Sequence, residues 1–174
     1  MATIKRKGYG QVEPNHLSGI VTGQIYAQLP AANGINQFEQ GQFAKYDYAA
    51  GVVNFTGDGE FMLVYNEEKL YDERFQNHKD FVYKVGDFTD HKLYPRLIRT
   101  YVGDIMTTNT FEANTSNVAE TTGVAIEEGN YLTVGNTGFL TVSAQKPQSG
   151  MAWKVVKIYT MPDGQQGVKI QRIQ

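Results

Sequence analysis

The feature that most constrains the fold is a series of five short β-favouring runs in the C-terminal part of the chain. The runs are Val124-Ala125-Ile126, Tyr131 to Val134, Phe139 to Val142, Trp153 to Tyr159 and Val168 to Ile173. Turn residues separate them at roughly ten-residue spacing, which is typical of small antiparallel barrels and sandwiches. We therefore predict such a barrel or sandwich over residues 101–174. Within the fourth run, Trp153 and Val155 fit one face and Val156 and Ile158 the other, which predicts a β-bulge.

The middle of the chain, residues 31–100, is predicted to be a β-rich lobe with one short helix. Alternating or apolar runs bounded by glycines predict strands near 42–48, 51–55 and 60–65. From Asn66 onward the apolar residues recur at spacings of three and four, which predicts a helix, with a pair of strands as the alternative. The fold class is therefore mainly β, a small antiparallel barrel or sandwich with at most one or two short helices.

The first thirty residues differ from the rest and are predicted to form an extended N-terminal arm. Pro14 and Pro30 interrupt this segment, and its apolar residues follow no clear period. A segment with little core of its own gains stability by laying apolar side chains on a partner's surface. The candidate interface residues of the arm are Lys5, Arg6, Lys7, Tyr9, Val12 and Leu17. The alternative is a frayed, solvated terminus. Deletion of residues 1–12 is expected to leave the fold's thermal transition in place.

Composition removes several classes of function. The chain has no cysteine, so thiolate nucleophiles, cysteine zinc sites and redox switches are excluded. A formal net charge of −2 makes nucleic acid an unexpected partner, and no apolar run approaches the length of a membrane-spanning helix. The three histidines show no metal-ligand spacing, and no Gly-x-Ser-x-Gly elbow occurs. We therefore expect a non-enzymatic protein without catalytic residues, metal or cofactor.

Residues 90–174 resemble structural proteins of tailed bacteriophages, most closely the head decoration, or cement, proteins. The motifs that carry this resemblance are Tyr94-Pro95-Arg96, the phrase from Tyr101-Val102-Gly103-Asp104 to Thr107-Thr108-Asn109, Glu128-Gly129-Asn130-Tyr131-Leu132-Thr133-Val134, Gly138 to Val142, Trp153-Lys154-Val155-Val156 and Pro162-Asp163-Gly164 to Ile170. The likeness lies in turn spacing and in the Gly-Asp…Thr-Thr-Asn phrase. It brings no catalytic or ligand residue with it.

The resemblance implies a virion component on the capsid exterior, synthesised in the host cytoplasm. Such a protein binds the lattice of the major capsid protein, often as a trimer, and stabilises the expanded lattice. Tyr94, Arg96 and Arg99 join the arm residues as interface candidates. An alternative is a tail or baseplate domain that binds host-surface carbohydrate through Trp153 and exposed tyrosines. A hydrolase that uses Asp72 and Glu73 is the third, least favoured reading.

Overall fold

The computed structural model describes residues 1–68, 77–85, 92–112 and 123–174. Strands hold 41% of the chain and helices 5%, and one antiparallel sheet curls into a half-barrel, so the predicted mainly β class is confirmed. The helical segments described are α1 (Ser18–Val21) and a 3-10 turn, His78–Asp80. The strands described are β1 (Ala2–Ile4), β2 (Val12–His16), β3 (Ile25–Tyr26), β4 (Gln37–Phe38), β5 (Phe43–Asp47), β6 (Val52–Asn54), β7 (Phe61–Val64), β8 (Tyr83–Lys84), β9 (Leu97–Ile98), β10 (Ile105–Thr108), β11 (Val124–Ile126), β12 (Tyr131–Val134), β13 (Leu140–Ser143), β14 (Ala152–Thr160) and β15 (Gln166–Arg172).

A six-stranded antiparallel sheet has the order β13-β12-β14-β15-β10-β2. Four of these six strands, β12 to β15, come from the runs predicted in the C-terminal part of the chain. These runs form strands because they alternate apolar and polar residues and are bounded by turn residues. The register between β14 and β15 shifts between Val155 and Lys157, which confirms the predicted bulge. Pro14 lies in β2 at the edge of the sheet, where a residue without an amide proton is tolerated.

A five-stranded sheet with the order β3-β9-β7-β5-β6 covers the inner side of the first sheet. The strands predicted near 42–48, 51–55 and 60–65 are β5, β6 and β7 of this sheet. Phe43 and Leu63 join Trp153 in one hydrophobic cluster, and the Phe43 and Trp153 rings are 5.8 Å apart. The larger hydrophobic cluster therefore lies between the two sheets and belongs to both halves of the chain. A second cluster, which includes Ala44, Tyr46 and Met62, lies on the other face of the five-stranded sheet.

The first thirty residues are extended in part, but they belong to the body of the fold. β1 pairs with β11, β2 with β10, and β3 with β9. Val12 and Leu17 lie in the same buried cluster as Trp153. The expectation of an extended arm with little core of its own is therefore wrong. Its apolar residues lack a helical period because they supply short strands to different sheets, and each strand is completed by a distant partner.

Two predictions fall wholly or partly on residues outside the described ranges. The helix predicted from Asn66 onward falls mostly on residues 69–76, which lie outside the described ranges. The described chain ends at Glu68 before this gap and resumes at Asn77 after it. The abundance of Thr and Asn over 107–122 predicts a long surface loop, with strand ends around Ile105 and Phe111. The first two residues of this segment are instead the last two residues of β10, and 113–122 lies outside the described residues.

Candidate interaction surfaces

The structure separates the predicted interface residues of the N-terminal segment into two groups. Arg6, Val12 and Leu17 are 0%, 8% and 2% exposed, so they face the interior of this chain and are not available to a partner. Lys5 and Lys7 are exposed, and Tyr9 is partly exposed. The alternation around Arg6 is that of an extended chain, in which successive side chains point to opposite sides. Of the three basic residues predicted to lie at the interface, Lys5 and Lys7 are therefore exposed, and the prediction is wrong for Arg6, which is buried between them.

Arg6 forms a buried ion pair with Glu39. Its Nη2 atom lies 2.8 Å from Oε2 of Glu39, and both side chains are almost fully buried. The backbone N–H of Gly10 donates to the same carboxylate oxygen at 2.7 Å. Burial lowers the pKa of Arg6 and raises the pKa of Glu39, and each partner opposes the shift of the other. This pair fixes the N-terminal segment to the body and is structural.

The Gly-Asp…Thr-Thr-Asn phrase is also structural. The Asp104 carboxylate accepts from the backbone N–H and the hydroxyl of Ser18. The Thr108 hydroxyl donates to the Gln11 carbonyl, and the Asn109 side chain accepts from the Gln11 N–H. Gln11, Asp104, Thr108 and Asn109 are buried and Ser18 is partly buried, so these hydrogen bonds spare the bonded atoms the cost of being left unpaired. The phrase that carries the resemblance thus holds residues 10–18 against β10.

Arg96 and Arg99 do not join one surface with the exposed lysines. Arg96 lines a cleft beside the N-terminal segment, and its backbone N–H donates to the Asn66 side chain. Arg99 lines a separate groove, where its Nε atom is 2.5 Å from a carboxylate oxygen of Glu60. Tyr94 is partly exposed, and its carbonyl accepts from the Tyr83 hydroxyl. The structure therefore distributes the predicted interface residues over several parts of the surface.

The cleft beside Arg96 has a volume of about 670 Å³. Its charged lining residues are Glu13, Glu67, Glu68, His78, Arg96 and Asp163. A hydrogen bond that His78 donates to the Glu68 carboxylate raises the pKa of the His78 imidazole, and burial raises the pKa of the Glu13 carboxyl. Although burial opposes the change, hydrogen bonds from Gln11 and Gln165 lower the pKa of Asp163. The described residues contain no group of three or more side chains placed to hold a metal ion.

The outward face of the six-stranded sheet carries three lysines. Register aligns Tyr131 with Lys154 and Gln171 across neighbouring strands, and Lys157 with Lys169. Lys154 and Lys157 are exposed. We call this surface the lysine face, and it comprises Tyr131, Lys154, Lys157, Tyr159, Lys169 and Gln171. Neither hydrophobic cluster of the described residues includes a member of it.

Local contacts hold the lysine face in shape. The Lys169 ammonium lies 5.3 Å from the centre of the Tyr159 ring, within cation–π range. The bulge after Val155 turns both Val156 and Lys157 toward solvent, and Val156 is 48% exposed. Glu13, on the edge strand β2, pairs with Thr107, and Thr107 pairs with Lys169 on its other side. A carboxylate therefore lies in the same cross-strand row as Lys169. The lysine face is a mainly cationic surface with amphipathic rings, suited to contact with another macromolecule.

No family model, no curated protein and no solved structure matches this chain. In the ranges that the structure describes, no helix has the length and apolar character to cross a membrane.

Two further predictions concern sugar stacking and hydrolysis. Trp153, a predicted stacking platform for sugar, is 0% exposed and packs on Phe43, so that role is excluded for it. Asp72 and Glu73 lie outside the described residues. The lysine face was missed because its lysines come from two strands. The alternation over 168–173, which sets Lys169 and Gln171 on one side, is the signal that could have revealed it.

Proposed function

We propose that this chain is a non-enzymatic virion protein that binds the outer surface of an assembled phage capsid and stabilises the expanded lattice of the major capsid protein. The observation that supports this proposal best is the lysine face. It is an open sheet surface with three lysines, on a chain whose formal net charge is −2. This proposal places the acidic partner surface on the coat protein, where charge complementarity guides association and fixes register.

The composition of the lysine face suits binding to a fixed lattice. Tyr131 and Tyr159 offer large contact areas with few rotatable bonds, and their hydroxyls can hydrogen-bond at a wet rim. The backbone under Tyr131 is paired on both sides, with β13 and β14, and the part of β14 that carries Tyr159 is paired with β15. Little conformational freedom is therefore lost when this surface docks, which favours affinity.

The proposed stabilisation is a linkage effect. A protein that binds the expanded lattice and not the free subunits shifts the equilibrium toward the lattice by mass action. A homo-oligomer on the capsid, such as a trimer, would engage neighbouring subunits together and raise the effective affinity without new kinds of contact. The proposal requires no catalytic residue and no cofactor.

The test is co-sedimentation with expanded capsids of the encoding phage that lack this protein, together with negative-stain images of the same particles. The wild-type chain should bind, and Lys154→Glu/Lys157→Glu should bind at least about a hundredfold more weakly, because like charges then face each other across the interface. Lys5→Glu/Lys7→Glu is the matched control, with the same charge change at two exposed lysines outside the lysine face.

Three outcomes separate the parts of this proposal. Absence of wild-type binding rejects capsid decoration. Undiminished binding by Lys154→Glu/Lys157→Glu rejects the lysine face as the docking surface. Loss of binding by the Lys5→Glu/Lys7→Glu control alone transfers the docking surface to the N-terminal segment, where the sequence placed it. Thermal melts of all three proteins check that the fold is intact.

A further inference from the structure

A groove lined by three tyrosines lies on the face of the five-stranded sheet that points away from the six-stranded sheet. Its volume is about 430 Å³, within the range of small-ligand sites. We call it the tyrosine groove, and its main lining residues are Tyr26, Tyr46, Tyr48, Glu60, Met62 and Arg99. The strand register explains why these residues lie together. Lys45 pairs with Phe61, which sets Tyr46 beside Glu60, and Leu63 pairs with Ile98, which sets Met62 beside Arg99.

The tyrosines of this groove form a chain of edge contacts that ends in an open ring. The Tyr46 ring is 5.5 Å from Tyr26 and 5.6 Å from Tyr48, with interplanar angles of 80° and 82°. Tyr46 is only 4% exposed and so serves as the fixed centre, whereas Tyr48 is 74% exposed. Edge-to-face contact restrains the Tyr48 ring while leaving much of its surface in water. A ligand with a flat apolar face can cover that surface.

A charged pair stands beside the rings. The Arg99 Nε atom lies 2.5 Å from Oε1 of Glu60, and the two side chains are 41% and 40% exposed. The Tyr26 side chain hydrogen-bonds Arg99, and the guanidinium lies 5.6 Å from the centre of the Tyr101 ring. Because a guanidinium has five N–H donors and a carboxylate has two oxygens, this pair retains both donors and acceptors for a ligand. The donors of Arg99 and the acceptors of Glu60 lie side by side at the edge of the groove.

The groove adjoins a second hollow. This hollow, of about 350 Å³, shares Gly59 and Glu60 with the tyrosine groove and is also lined by Lys45, Phe61 and Arg172. A Cβ atom at Gly59 would lie 2.5 Å from the Tyr46 carbonyl oxygen, so glycine allows the chain to pass close to β5 and present Glu60 between the two hollows. A ligand of more than one unit therefore has space on both sides of Glu60.

We infer that the tyrosine groove binds a neutral saccharide, with the apolar face of a sugar ring on Tyr48 and neighbouring hydroxyls on Glu60 and Arg99. Sugar hydroxyls both donate and accept hydrogen bonds, which matches a carboxylate and a guanidinium fixed together. The ring C–H groups match an exposed aromatic face. Glu60 neutralises Arg99 in place, so the pair gives no preference for a phosphate or sulfate. This activity is additional to capsid binding and uses a different surface.

The test is a titration with neutral disaccharides of different linkage, namely cellobiose, maltose, lactose and chitobiose, followed by saturation-transfer NMR and calorimetry. At least one should bind saturably with a dissociation constant in the millimolar range or tighter. Tyr48→Ala should weaken that binding about tenfold or more, which is about 1.4 kcal/mol, because it removes the aromatic face on which the sugar ring rests. Tyr48→Phe, which keeps the ring, should bind like the wild type.

The control variant is Tyr131→Ala, which removes a tyrosine from the lysine face and should leave saccharide binding unchanged. Glu60→Gln should weaken binding while preserving the fold, as checked by its thermal transition. Failure of all four disaccharides to bind overturns the inference, as does undiminished binding by Tyr48→Ala. The capsid assay with Tyr48→Ala remains informative in either case, because it should match the wild type whether or not a sugar binds.

Discussion

At the scale of single residues, the buried Arg6–Glu39 pair makes the sharpest prediction. Arg6→Met leaves the Glu39 carboxylate buried with the Gly10 N–H as its remaining described donor. Removing one partner of a buried ion pair costs about 3–5 kcal/mol of unfolding free energy. We expect a loss of this size in urea unfolding at neutral pH. Arg6→Met/Glu39→Gln should recover most of it, because the amide oxygen still accepts from Gly10 and no charge is stranded.

The pH dependence of the same variant follows from the direction of the Glu39 pKa. Burial raises that pKa above its ordinary value, and Arg6 opposes the rise, so Arg6→Met raises it further. A carboxyl whose folded pKa exceeds its unfolded pKa destabilises the fold increasingly as pH rises from the unfolded value through the folded one. The loss in Arg6→Met should therefore shrink as pH falls through this window. An equal loss at acidic and neutral pH would contradict the assignment.

The sequence could not show that one residue of Lys5-Arg6-Lys7 is buried. All three are cationic, and the partner carboxylate lies on a distant segment of the chain. The alternation with Ile4, which is also fully buried, was the available signal. A basic run is more often a solvated surface, and tertiary pairing overrides that preference here.

At the scale of elements, the two turns that flank β12 offer a matched comparison. Gly129 and Gly138 both have positive φ, at +91° and +80°. A Cβ at Gly138 would lie 2.1 Å from the Phe43 carbonyl oxygen, whereas a Cβ at Gly129 would meet no described atom within 4 Å. Gly129→Ala should therefore cost only the left-handed strain, about 1–2 kcal/mol.

Gly138→Ala adds a clash with backbone to the same strain, so its loss should exceed that of Gly129→Ala by about 1–3 kcal/mol. The Phe43 N–H also donates to the Gly138 carbonyl at 2.7 Å, so this turn ties the two sheets together. Chemical denaturation of both variants measures the difference. Equal losses would mean that the turn does not depend on this close approach.

Strand positions were predictable from the sequence at this scale, and strand partners were not. The runs near 42–48 and 60–65 were found because glycines bound them, and the bulge after Val155 was found because the alternation of faces breaks there. Pairing of β2 with β10 left no local trace, since the paired residues, such as Val12 and Thr108, are far apart in the sequence. For the same reason the tyrosine groove, which draws on β3, β5, β7 and the residue after β9, could not be assembled beforehand.

At the scale of the whole molecule, the N-terminal segment is what unites the sheets. β1, β2 and β3 contribute to three different sheets, and Ile4 and Arg6 are fully buried. The division into an arm, a lobe and a barrel at residues 30 and 100 follows changes in composition, whereas the strands cross these boundaries to complete the sheets. Composition therefore predicted the fold class, but not which segments share a core.

Deletion of residues 1–10 tests this integration. It removes β1, the burial of Ile4 and the partner of Glu39, so the expected loss of stability is several kcal/mol and the fall in Tm ~10 °C or more. Lys5→Glu/Lys7→Glu changes only exposed side chains of the same segment and should leave Tm nearly unchanged. Scanning calorimetry measures the Tm of both proteins and tests this difference. If the deletion leaves the transition in place, the segment contributes little to the body. If it lowers Tm as expected, loss of capsid binding on deletion reflects unfolding, and the lysine substitutions become the valid test of whether this segment contacts the coat.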